Sequence, residues 1–353
     1  MSKNPSVAVG FDIGAHALKA VHMARRGNKM ALLNYGTRVV SQPITNADQL
    51  NLHVKQLLKD VDGLGKPCGV ALSGTDHIFR IIEQPDTPPK LLRDGLTLNG
   101  ARLLNQDCSQ FILDCDRTSR QSAVQPAPAA GANAAPPMVN YLVVGVPRTQ
   151  VEIVVEAFSK NKSTAEILQT APIALYNAFE YAYSDVALNE AFALLDIGHR
   201  ESTVIIGCRG EIFLVRSVDF GGKSLTDALA GEGAVDRYTA ITLLQQGDIG
   251  VVSVLTSSMS GLFRDLSTSI GFFEDRRSES IKRVYVSGGP TGSDVVLQVL
   301  SNGIELTCEI WDPFAKCHLS LDKQRQSTYE TDLVLLPQAM GAAAALLGFT
   351  SKK

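Results

Sequence analysis

The stretch that most narrows what this chain can fold into occurs twice, as Asp12-Ile13-Gly14 near the start and Asp196-Ile197-Gly198 in the middle. Each copy closes an apolar run, Val7-Ala8-Val9-Gly10-Phe11 in the first and Phe192-Ala193-Leu194-Leu195 in the second. A few polar residues later a second β-prone run follows, over 17–23 and over 203–206. The pattern reads as strand, tight turn, strand, with a carboxylate at the strand end and a glycine in the turn. Such a turn aims successive backbone N–H groups into a concavity that suits phosphate. The carboxylate would repel that phosphate without a cation between them, so the pattern implies Mg2+ with its water shell. Lys19, in the strand after the first turn, reaches back as a further positive charge. Two such corners facing each other would hold a di- or triphosphate from both sides.

A third element follows at Val284-Tyr285-Val286-Ser287-Gly288-Gly289, a strand running into paired glycines and then into helical spacing over 294–300. Glycine there lets backbone approach a flat adenine–ribose unit. Taken together, residues 12–19, 196–203 and 286–290 resemble the first phosphate, second phosphate and adenosine motifs of the actin-like ATPase superfamily. Within it the chain is similar to the PilM/FtsA branch, whose PilM-type members are cytoplasmic proteins of type IV pilus assembly. The resemblance implies an α/β, actin-like ATPase fold: two RNase H-like domains flanking a nucleotide cleft, with an inserted subdomain of the FtsA/PilM type. It implies ATP and Mg2+ as cofactors. Asp12 and Asp196 would hold the metal through water, while Gly14 and Gly198 offer backbone to the phosphates. Lys19 would take phosphate charge, Ser202 or Thr203 would donate a hydroxyl, and Gly288 and Gly289 would pass under the adenosine.

The same resemblance sets the expected activity. Hydrolysis needs a side chain that orients or deprotonates the attacking water, and relatives often place a Glu or Gln just before the proline of the first interdomain connection. Here that segment reads Gln169-Thr170-Ala171-Pro172, with Gln169 or Glu166 as the substitutes at hand and no catalytic residue assigned. The ribose-contacting charges of an Ala-Glu-x-x-Lys helix are missing from Ala240-Ile241-Thr242-Leu243-Leu244, and His199-Arg200-Glu201 crowd the second turn. The expectation is a slow Mg2+-dependent ATPase at most, or a nucleotide-binding protein that does not hydrolyse. As partners the resemblance implies a PilN-like bitopic membrane protein, captured through its cytoplasmic N-terminal peptide, and other proteins of the pilus platform. That puts the chain at the inner face of the cytoplasmic membrane indirectly. The alternatives are an FtsA-like filament-forming tether and a sugar or acetate kinase. The first needs a long basic amphipathic tail after Phe349, and the second needs a spare carboxylate at a strand end.

Composition narrows the rest. At 353 residues the chain exceeds what one core normally supports. A net charge of -3 and a pI near 6.1 give no electrostatic footprint for nucleic acid. No apolar run approaches the roughly 20 residues that span a bilayer, and the start of the chain reads straight into the first strand without a secretion signal. The six cysteines are scattered, with no Cys-x-x-Cys, as expected of reduced thiols.

The spacing predicts strands over 7–12, 17–23 and 31–40, a helix capped by Asn46 with Leu50, Val54, Leu57 and Leu58 on one face, and short strands over 69–72 and 77–82. These make a first domain piece over 1–83. An insertion is expected over 84–165, with a helix after Pro88-Pro89, strands over 111–116 and 141–146, and an amphipathic helix over 148–160 that turns Val151, Val154, Val155 and Phe158 inward. Its Ala/Pro/Gln/Ser-rich loop over 119–137 has nothing to bury and is expected to be disordered. Residues 166–190 return to the first domain through a connecting helix. Residues 191–335 form the second domain, with a capping portion over about 226–280 that includes a helix with Leu255, Met259, Leu262, Phe263, Leu266, Ile270 and Phe273 on its core face. The last piece, 336–353, is a small-residue helix returning to the first domain, packed rather than membrane-touching.

Overall fold

The computed structural model describes residues 4–118, 137–232, 236–246 and 249–350. Strands β1 (Val7–Ile13), β2 (Ala17–Arg26) and β3 (Lys29–Val39) form an antiparallel meander. Helix α1 (Ala47–Asp60) starts where the sequence places it: the Asn46 side chain accepts a hydrogen bond from the Gln49 N–H, and the four expected apolar residues are buried. Strand β4 (Cys68–Leu72) then runs parallel to β1.

Strand β5 (Ile78–Pro85), helix α2 (Pro89–Leu104) and strands β6 (Phe111–Arg117) and β7 (Met138–Pro147) build a separate three-stranded sheet in the order β5-β7-β6. Leu92, Leu96 and Leu104 of α2 share its core with Ile78, Tyr141 and Val143. This differs from the expected boundaries at both ends. All of β5 pairs with β7, so the small sheet begins at Ile78 and not after 83. Helix α3 (Arg148–Ser159), expected in the insertion, sinks Val154, Ala157 and Phe158 into the core that holds Val9, Phe11 and Val54. Phe158 meets Phe11 edge-on with ring centroids 5.0 Å apart. The buried stripe of α3 is narrower than the spacing suggests, and Val155, expected inward, is 49% exposed. Of the loop expected over 119–137, residues 119–136 lie outside the described residues.

Strand β8 (Ala165–Thr170), which the sequence reading does not contain, adds to the first sheet parallel to β4. Helix α4 (Ala171–Ala182) is the connection, and α5 (Ser184–Asn189) leads into the second lobe. There β9 (Ala191–Ile197), β10 (Ser202–Cys208) and β11 (Glu211–Val218) repeat the meander. Helices α6 (Gly222–Glu232), α7 (Arg237–Gln246) and α8 (Val252–Arg277) follow, and all seven apolar residues expected on the core face of α8 are buried. Strand β12 (Arg283–Ser287) is parallel to β9, and after α9 (Asp294–Ile304) strand β13 (Thr307–Ile310) is parallel to β12. The chain then returns through β14 (His318–Leu319), which joins the first sheet beside β3, then α10 (Lys323–Asp332) and α11 (Pro337–Leu346).

The two large sheets have one plan. The first runs β3-β2-β1-β4-β8, with β14 added outside β3, and the second runs β11-β10-β9-β12-β13. Each is a meander whose first strand also pairs in parallel with the strand after the helical excursion. Between the lobes lie α4 and α11. Phe179 of α4 packs its ring on Phe192, Tyr285 and Trp311, all on the second-lobe side. The backbone of α11 lies directly on its neighbours at three glycines: a Cβ added at Gly341 would collide with the Ala174 carbonyl of α4, at Gly10 of β1 with the Ala339 carbonyl, and at Gly69 of β4 with the Ala342 carbonyl. The small residues of α11 therefore serve two contacts, helix on helix and helix on sheet. After α11, Leu347 is fully buried and Phe349 lies under the Arg25 guanidinium at 4.5 Å and edge-on to Tyr181. Among the described residues no helix is long and apolar enough to cross a membrane.

Candidate functional site

The shared plan puts the two Asp-Ile-Gly corners at equivalent places. In each, the glycine N–H closes the turn onto the carbonyl three residues on, Gly14 to Ala17 at 3.2 Å and Gly198 to Glu201 at 3.1 Å. In each, the aspartate faces a residue across the hairpin, Asp12 opposite Lys19 and Asp196 opposite Thr203. In each, it is also flanked on the parallel side, by Ala71 for Asp12 and by Ser287 for Asp196. The second corner is clamped further by α6, whose first N–H groups, those of Gly222 and Lys223, donate to the carbonyls of Gly198 and His199 at 2.9 and 2.8 Å.

The two lobes bring both carboxylates to one lysine. Lys19 Nζ donates to Asp12 Oδ2 at 2.8 Å, with Asp12 almost wholly buried and 19% of the Lys19 side chain exposed. Burial works against the Lys19 charge, but the Asp12 carboxylate, its hydrogen bond and the nearby Asp196 outweigh it, and the ammonium stays charged above its ordinary range. On the other side Asp196 Oδ1 accepts from Ser287 Oγ at 2.8 Å, and Gln338 of α11 supplies another hydrogen bond. Burial still pushes the Asp196 carboxyl up, and the Asp12 charge adds to that, against the pull of Ser287, Lys19 and Gln338. Asp12 Oδ1 is buried without a hydrogen-bond partner.

At the corner tips a cavity of about 1020 Å³ opens between the lobes, and Asp12, Lys19 and Asp196 themselves are not in its lining. That is at the upper end of the ~300–1,000 Å³ usual for small-molecule sites. It is lined by both corner tips (Ala15 and His16, His199 and Arg200), by the start of α6, by Gly289 and Pro290, by Ile241 and Leu244 of α7, and by the segment before α11. His16 and His199 stack across the lobes, centroids 4.1 Å apart and planes 15° from parallel.

The residues singled out by sequence fall into three groups. Asp12, Lys19 and Asp196 converge, and Gly14 and Gly198 form the matching turns. Of the paired glycines, Gly289 lines the cavity. Gly288, at φ +99°, lies against the Ile197 backbone, where any side chain would collide, and thereby ties this turn to the second corner. The hydroxyl candidates separate. Ser202 is fully buried and its Oγ donates to the Phe220 carbonyl at 2.7 Å, so it braces β10 and is not offered to the cavity. Thr203 is half-buried opposite Asp196. Neither Glu166 nor Gln169 lines the cavity, and Gln169 Oε1 accepts from Asn177. Sequence reasoning missed Ser287 and Gln338. Ser287 stands next to Gly288, and its parallel pairing with Asp196 is the signal that the strand pattern alone did not carry.

The arrangement fits ATP and Mg2+. Asp12 Oδ1 is an orphaned buried anionic oxygen one turn from the cavity-lining tip Ala15-His16, the second carboxylate comes from the other lobe, and Gly289 brings bare backbone to the wall. Asp12 and Asp196 are the residues that would hold a hydrated divalent ion.

A family model described as type IV pilus assembly protein PilM matches residues 128–345, well over half of the chain. The solved structure described as a PilM–PilN type IV pilus biogenesis complex superposes with a TM-score of 0.81 at 22% identity, covering 97% of this chain and 99% of that one. Weaker similarity extends to ethanolamine utilization protein EutJ from Carboxydothermus hydrogenoformans (TM-score 0.49, 13% identity, 96% and 89% covered) and to MreB 5 of Spiroplasma citri bound to AMPPNP (TM-score 0.47, 12% identity, 94% of each chain). The fold is the actin-like ATPase fold, as the two matching lobes require.

Proposed function

The chain belongs to the type IV pilus assembly PilM family, and from that premise we propose that it is a nucleotide-binding scaffold of the pilus assembly platform. It takes ATP with Mg2+ between its lobes and captures the N-terminal cytoplasmic peptide of a PilN-like bitopic membrane protein, which holds it at the inner face of the cytoplasmic membrane. One observation carries the nucleotide half of this reading: Asp12 and Asp196, one from each lobe, both act on the Lys19 ammonium, and the tips of both their corners line the interlobe cavity. The partner half is supported by the family and by the complex with PilN that the superposed structure describes.

Bound Mg2+ supplies the positive charge that lets phosphate lie against two carboxylates. The chain's own residues do the rest. Asp12 Oδ1 and the Asp196 carboxylate would hold the hydrated ion, and Lys19, close to both carboxylates, would share the phosphate charge. Gly289 leaves room for the nucleoside, and Ile241 and Leu244 give the cavity an apolar wall. Glu166 and Gln169 do not line the cavity and Ala171 stands directly before Pro172, and the proposal is slow hydrolysis or none. Closing on nucleotide would then act through the angle between the lobes, which α4 and α11 transmit.

The test is a fluorescently labelled peptide of the PilN-like partner's cytoplasmic N-terminus, titrated by anisotropy against the full chain with and without ATP and Mg2+. It is expected to bind at least tenfold more tightly than a scrambled peptide, with an affinity that changes on adding nucleotide. Equal binding of native and scrambled peptides would remove the scaffold reading.

A further inference from the structure

Asp12 and Asp196 bring two carboxylates to a single ammonium. Lys19 Nζ donates to Asp12 Oδ2 at 2.8 Å, and although burial opposes its charge, Asp12 and then Asp196 keep it charged. The counterpart of Lys19 in the second lobe is Thr203, which brings no charge of its own. With the ammonium in place, the two carboxylates are therefore only half neutralised. Asp12 Oδ1, buried and without a hydrogen-bond partner, is where that shortfall is visible.

The ammonium also takes up room. A Cβ added at Gly14 would stand 3.4 Å from Lys19 Nζ, so the same atom that bonds Asp12 lies against the turn of the first corner. Asp12 exposes 4% of its side chain and Lys19 19%, so the ammonium is the more accessible member of the pair. A divalent ion approaching Asp12 would meet a positive charge already seated there, and like charges at short range repel strongly away from bulk water. Without that ammonium, two carboxylates would match the charge of the ion in full. Lysine and divalent ion thus compete for the same acids. A polyphosphate shifts the balance, because its oxygens offer the ammonium another acceptor through strong charge-assisted bonds.

We propose that Lys19 is a stand-in for the metal: its ammonium holds the two carboxylates in the empty cleft, so that a divalent ion is admitted only with a nucleotide whose phosphates take the lysine over. The inference rests on the nucleotide reading above and adds to it the residue that makes metal binding conditional on nucleotide. Coupling of this kind is reciprocal, so an ion that needs the nucleotide also tightens it.

The experiment titrates Mn2+, a paramagnetic substitute for Mg2+, into the nucleotide-free full chain and follows the loss of its free-ion EPR signal. Wild type is compared with Lys19→Met, with Lys19→Gln, and with Lys19→Met combined with Asp196→Asn. Both single variants are expected to bind Mn2+ about tenfold or more tightly than wild type, within the usual range of coupling between sites. Adding Asp196→Asn is expected to cancel the gain. Lys19→Gln keeps an amide that can donate to Asp12, and it decides the matter if Lys19→Met does not fold. Wild type binding Mn2+ as tightly as the lysine variants, or a gain that survives Asp196→Asn, overturns the inference and leaves the nucleotide reading standing. Failure of wild type to bind ATP with Mg2+ in a separate calorimetric titration overturns both.

Discussion

Lys19→Met is expected to destabilise the ligand-free protein by about 3 kcal/mol at neutral pH, the cost typical of leaving a buried charge without its partner. The reason is that one ammonium serves two carboxylates from different lobes. The hairpin position that holds Lys19 opposite Asp12 holds Thr203 opposite Asp196, so the second lobe has no lysine of its own there. Without Lys19, Asp12 keeps neither a cation nor a hydrogen bond, and Asp196 keeps only Ser287 and Gln338. The loss has a definite pH dependence. The Asp196 carboxyl is already raised above its unfolded value, so its ionisation costs stability above the folded pKa and costs nothing below the unfolded one. The Lys19→Met deficit should therefore shrink as pH falls toward the unfolded carboxylate pKa near 4, and adding Asp196→Asn to Lys19→Met should restore part of it at neutral pH. Thermal melts of the three proteins at pH 5 and pH 7.5 check this. A deficit that grows on acidification, or a double variant less stable than Lys19→Met, would contradict the shared-cation geometry.

Gly341→Val is expected to cost still more, leaving little folded protein. Glycine at 341 is required by approach and not by backbone angle, since a Cβ there would fall on the Ala174 carbonyl of α4. The neighbouring contacts give α11 no way to retreat: Ala339 and Ala342 are held against Gly10 of β1 and Gly69 of β4 in the same manner. Overpacking a site that can yield costs about 1–3 kcal/mol. Here backbone meets backbone on three sides, so the upper end or beyond is expected. Expression and the near-ultraviolet circular dichroism of Gly341→Val, set beside Ala345→Val at a half-buried position of the same helix, make the comparison. A folded Gly341→Val with wild-type melting would show that α11 does not lie as close as described.

What the sequence made legible follows from what is local. Each corner announces itself through a continuous apolar run, an aspartate and a glycine, and the Asn46 cap and the α8 stripe are equally local. What it hid depends on partners far along the chain. Nothing within 78–85 says that β5 pairs with β7 and not with the first sheet, and nothing within 148–159 assigns α3 to the first lobe. Ser202 and Thr203 are adjacent on a strand and so point to opposite faces, but only the position of the Phe220 carbonyl reveals which of them is spent inside. The stack of His16 on His199 joins residues from two lobes, and no pattern near either one foretells it. That the corners face each other was expected from their repeat; the one lysine acted on by both carboxylates was not.

The central claim is that these two corners close together on a metal-bridged polyphosphate. Calorimetric titration of ATP into wild type, Asp12→Ala and Asp196→Ala, each with and without Mg2+, tests it most directly. The account predicts that wild type binds ATP with Mg2+, that removing Mg2+ weakens binding about tenfold or more, and that either alanine variant loses a comparable factor and most of the metal dependence. ATP bound equally well by all three proteins, or bound by wild type with no response to Mg2+, would contradict it.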